Sequence, residues 1–129
     1  MEPAALVVLT TLGNVEDART LVRALVDERL IACGTLLPEA QSIYRWEGSV
    51  KEDSEVVVLL KTDASKWDAL AAAIRRLHPY QVPELLALPV TRGLERYLAW
   101  VTSEVAGFRP ATRLSQLTPA SSVRWQVRG

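Results

Sequence analysis

The sequence predicts an α+β domain of the split βαβ, ferredoxin-like type, with an additional helix at its C-terminal end. Three observations predict it. The hydrophobic pattern alternates between strand and helix periods in the order β-α-β, β-α-β, helix. The chain has 129 residues, 49% of them apolar, which is one domain with a substantial core. The apolar runs of strands one, three and four are continuous rather than alternating, as in strands covered on both faces.

Each element follows from local signals. Ala5–Thr11 is apolar and β-branched and reads as a buried strand, broken by Gly13-Asn14. Asn14 is suited to cap a helix whose first turn holds Glu16 and Asp17, where the helix dipole favours acids. Ala18, Leu21, Val22, Leu25 and Val26 follow at helical spacing, with Arg19, Arg23, Asp27 and Glu28 elsewhere on the wheel, over about five turns. A second strand starts at Cys33–Leu37, is interrupted at Pro38 and resumes over Gln41–Trp46. Glu47-Gly48-Ser49 turns it into a hairpin with a third strand ending in Val56–Leu60. Ser65, with Asp68 three residues on, forms a capping box for a second helix with stripe Trp67, Leu70, Ala71, Ile74 and Leu77. Pro79 and Pro83 bracket a rigid loop before a fourth strand, Leu85–Val90, whose Pro89 places it at an edge. Gly93 opens a third helix with stripe Leu94, Tyr97, Leu98, Val101 and Val105, ended by Gly107. The domain is thus residues 1–107, and residues 108–129 form a basic extension in which Val123–Val127 alternates like a late edge strand, able to join a neighbouring subunit's edge.

Right-handed crossovers put the two inner helices on one face of the sheet. The third helix is too short to cover the other face, so a further copy of the chain is expected there. The pattern alone does not fix the number of subunits.

Composition excludes several classes of function. Formal net charge is zero, although acidic residues end at Glu104 while Arg109, Arg113, Arg124 and Arg128 follow. No concentrated basic face points to nucleic acid, and the basic tail reads as solvated or as touching an acidic partner. No apolar stretch is long enough to cross a bilayer and Leu6–Leu9 lacks the marks of a leader, so a cytoplasmic location is expected. Cys33 is the one cysteine, which precludes an intrachain disulfide.

Motifs for catalysis are missing: Gly13 stands alone after the first strand, no paired-histidine or paired-cysteine motif exists, and His78 is the one histidine. A dyad of Cys33 and His78 has no local support, and Cys33 reads as an inert thiol. His78 ends the second helix, where the dipole favours an imidazolium, and reads either as a cap or as a pH-sensitive base or metal ligand. Glu55 and Glu84 are carboxylates that an interface could add to it. Tyr44, Trp46 and Tyr80 suit a subunit interface or a ligand cleft. Lys61 reads as a solvated strand end. Enzymatic acid–base groups would come from His78, Glu55, Glu84 and Lys61, but no pair is fixed by spacing, and no enzymatic activity is expected.

The richest stretch is His78-Pro79-Tyr80-Gln81-Val82-Pro83-Glu84. With Leu30-Ile31-Ala32-Cys33, Ser42-Ile43-Tyr44-Arg45-Trp46-Glu47-Gly48, Leu60-Lys61-Thr62, Leu88-Pro89-Val90 and Tyr97-Leu98-Ala99-Trp100, it resembles the CutA family of divalent-cation-tolerance proteins from about Val7 to about Trp100. The resemblance implies a ferredoxin-like fold, a homotrimer of PII-like architecture, and a role in tolerance of divalent metals, copper above all. It implies a weakly bound copper or zinc ion that folding does not require. Proposed copper ligands in such proteins fall here on Thr10, Leu77 and His78, of which only His78 keeps a ligating side chain. The cleft residues it implies are Cys33, Tyr44, Trp46, Glu55, Lys61, His78, Tyr80 and Glu84. A second reading is a trimeric signalling or scaffold protein whose clefts take a small anion or a partner segment.

Overall fold

In the computed structural model, which describes residues 4–107, the strands are β1 (Ala5–Leu12), β2 (Cys33–Trp46), β3 (Ser49–Asp63) and β4 (Leu86–Pro89), and the helices are α1 (Val15–Asp27), α2 (Trp67–Leu77) and α3 (Glu95–Glu104). The strands form one antiparallel sheet in the order β2-β3-β1-β4, the split βαβ arrangement. The expected late strand over Val123–Val127 lies outside the described residues.

Strand alternation sorts the side chains into two faces. Leu6, Val8, Thr10 and Leu12 of β1 pair with Thr62, Leu60, Val58 and Val56 of β3. Val8, Leu12, Val58 and Leu60 pack against Leu21 and Leu25 of α1 and Leu70 and Ile74 of α2, forming one core in which each is at most 1% exposed. Each such aliphatic contributes about 1.5–3 kcal/mol by leaving water. α1 lies so close to β2 that a Cβ on Gly34 would come within 2.8 Å of Val22 Cγ1. In α2 the buried small residue is Ala73, whereas Ala71, expected in the stripe, is half-buried.

The other face carries Val7, Leu9 and Thr11 of β1 beside Lys61, Leu59 and Val57 of β3, with Leu88 and Leu86 of β4 at the edge. α3 crosses this face and buries only Val101 and Val105. Leu94 and Tyr97, expected in its packed stripe, remain 79% and 45% exposed, and Trp100 is 42% exposed. β4, expected as a strand buried on both faces over Leu85–Val90, is shorter and exposed throughout. Its apolar side chains therefore have no cover among the described residues.

Helix ends explain the other departures. Asn14 caps α1 as expected, its side chain accepting from Asp17 N–H. The helix stops after 13 residues rather than five turns. Arg29 N–H donates to Val26 O and Leu30 N–H to Leu25 O, the paired bonds of a Schellman stop, with Arg29 left-handed at φ 61°. Glu28, expected on the solvent side, is buried at that stop and paired with Arg76 at 3.4 Å; burial raises its pKa and the Arg76 guanidinium opposes the rise. Before α2 the cap is Asp63, not Ser65: its carboxylate accepts from Ser65 N–H and opens a 3-10 turn over Ala64–Lys66.

Arg29 occupies the left-handed position despite its Cβ because its guanidinium donates to the Glu104 carbonyl at 3.1 Å and ties the end of α1 to the end of α3. Arg29→Gly relieves about 1 kcal/mol of backbone strain and loses a bond of similar worth. Global stability is expected to change little, while amide hydrogen exchange over 101–105 accelerates. Unchanged exchange there would contradict the tie.

Candidate functional site

A single extra residue sets the composition of the face opposite α1 and α2, which is helix-free apart from α3. Leu37 pairs with Val57, but Ala40 pairs with Glu55, so β2 advances three residues while β3 advances two. This is a β-bulge, and Glu39 within it is left-handed at φ 62°. Because side chains alternate, the bulge moves every later residue of β2 to the opposite face. Without it, Tyr44 and Trp46 would point away from Cys33. With it, Cys33, Tyr44, Trp46, Glu55 and Lys61 all project from the helix-free face. The turn at Glu47-Gly48, with both φ positive at 49° and 84°, then returns the chain into β3 as expected.

On this face two carboxylates sit behind two hydroxyls. Ser42 Oγ donates to Glu55 Oε1 at 2.7 Å, and Tyr44 OH donates to Asp53 Oδ2. Tyr80 OH, reaching in from the loop after α2, donates to the second oxygen of Glu55 at 3.2 Å. Glu55 is 3% exposed, so these bonds replace its hydration and bind the loop to the hairpin.

His78 sits behind that loop. Its backbone N–H caps α2 by donating to Ile74 O. The ring is neutral, contrary to the imidazolium expected at a helix C-terminus: Nδ1 accepts from Tyr80 N–H at 3.1 Å and Nε2 donates to Thr11 O at 2.8 Å. Burial, only partly opposed by the Thr11 carbonyl and Asp17, lowers its pKa to about 4. The ring also meets Tyr80 edge-on at 4.9 Å between centroids. A metal ion at either nitrogen would have to replace one of these bonds. Thr10 is fully buried on the helix side and Leu77 lies in the core. Among the described residues no group of three or more His, Cys, Asp or Glu side chains is placed to hold an ion.

Cys33 and His78 do not meet. Cys33 pairs with Lys61 opposite Val7, while His78 bonds Thr11, four residues or about 13 Å further along β1. The half-buried Cys33 thiol lies 3.7 Å from Tyr97 OH. That contact, more than burial, raises the phenol's pKa. Lys61 donates to Thr35 Oγ1 at 2.9 Å.

Ser42, Ile43 and Tyr44 face Pro83, Glu84, Leu85 and Leu86 across an open groove of about 580 Å³. Glu84 is half-buried there and makes no hydrogen bond or ion pair among the described residues. The Ser42 and Tyr44 protons are committed to the Glu55 and Asp53 carboxylates. Ser42 and Asp53 were not among the site residues expected from the sequence, although their spacing of two from Tyr44 and Glu55 puts each on the same strand face.

The chain matches the family described as CutA1 divalent ion tolerance protein over residues 6–104. The divalent-cation tolerance protein CutA of Thermus thermophilus is 47% identical over 95 residues, spanning 74% of this chain and 92% of that protein. Its structure superposes with a TM-score of 0.75 over 78% of this chain and 97% of that one, at 45% identity. CutA from Xylella fastidiosa is 38% identical with a TM-score of 0.77, covering 79% and 98%. The Archaeoglobus fulgidus relative, described as a periplasmic divalent cation tolerance protein, is 27% identical with a TM-score of 0.76, covering 78% and 98%. No helix among the described residues is long and apolar enough to cross a membrane. The family match over residues 6–104 and a relative 47% identical across 74% of the chain place it in the CutA1 family of divalent ion tolerance proteins.

Proposed function

We propose that the chain forms a homotrimer that acts in tolerance of divalent ions such as copper, in the cytoplasm, by weak direct metal binding at subunit clefts and without catalysing a reaction. The observation that carries this reading is the helix-free face. Leu86, Leu88, Tyr97 and Trp100 lie exposed on it beside the Glu55 and Tyr80 pair. Further copies of the chain would cover the apolar part and convert the polar part into clefts. The family resemblance supplies the number three. A lone half-buried thiol suits a reducing compartment.

Binding is expected to be weak because His78 must first release Tyr80 N–H or Thr11 O. Glu55 serves to hold the loop, both its oxygens being bonded, which leaves no free acid–base pair. The test is thermal unfolding during titration with Cu²⁺ and Zn²⁺, for the natural chain and for His78→Ala. An ion present at a hundred times its Kd adds about 2.7 kcal/mol to stability. The natural chain is expected to gain melting temperature at high ion concentration, and His78→Ala to gain less than half as much. Flat, superimposable responses would remove direct binding from the account.

A further inference from the structure

We draw no further inference here: the strongest candidate, the open groove between residues 42–44 of β2 and residues 83–86, borders the apolar face assigned to other copies of the chain, and nothing among the described residues shows what fills it.

Discussion

Deleting Glu39 is expected to destabilise the domain by at least about 3 kcal/mol, measured as a fall in the urea midpoint at unchanged slope. The deletion removes the extra residue of the bulge between Leu37 and Ala40. Either Ala40 to Trp46 then lose their face and pairing with Ser49–Glu55, or the turn holds that half and Cys33 to Leu37 flip, taking Gly34 and Leu36 off the helix-packed side. In the first case Ser42 leaves Glu55 and Tyr44 leaves Asp53; in the second the packing of β2 under α1 is lost. Hydrogen bonds to charged groups contribute about 1.5–3 kcal/mol each, and a buried carboxylate stripped of partners costs more. Glu39→Gly keeps the bulge and relieves a left-handed residue at φ 62°, so it is expected to stabilise by about 1 kcal/mol. A deletion that left the midpoint within 0.5 kcal/mol (about one weak hydrogen bond) would mean that the bulge does not set the face.

The second large effect is acid sensitivity from His78. The folded pKa is about 4 and the ordinary value 6.5, so the unfolded chain binds more protons between them. His78 therefore contributes stability that is fully present above about pH 6.5 and is lost as pH falls toward 4. The interval corresponds to roughly 3 kcal/mol. Protonation of Nδ1 would place a second N–H against that of Tyr80 and release the Tyr80–Glu55 contact. Urea unfolding at steps from pH 7.5 to 4 is expected to show this loss in the natural chain. His78→Gln is expected to be about 2 kcal/mol less stable at pH 7.5, for one or two lost buried bonds, and to have a shallower slope with pH. Parallel profiles for the two proteins would assign the acid response elsewhere.

These two effects also mark where sequence reasoning stopped. Periodicity located every strand and helix of the described domain, and Asn14 was readable as a cap because its side chain acts within three residues. The bulge was not readable: its left-handed residue is a glutamate rather than a glycine, and Pro38 looked like an interruption. Tyr44, Trp46, Glu55 and Lys61 were legible as amphipathic or charged residues in strands, but that Cys33 shares their face depends on that one-residue count. The length of α1 was overestimated for the same reason, since an arginine rather than a glycine makes its left-handed stop. His78 was legible as a helix end. Its neutrality was not, because the group that burial brings to Nε2, the Thr11 carbonyl, is 67 positions away.

The proposed trimer requires other copies of this chain to close the apolar face opposite α1 and α2. Native mass spectrometry at micromolar concentration tests it directly. The account expects a species of three times the 14.3 kDa chain mass. Leu88→Glu, on the exposed edge strand and outside the core, is expected to shift it to single chains with helix content retained. A natural chain that remains a 14.3 kDa monomer at those concentrations, or a trimer indifferent to Leu88→Glu, would contradict it.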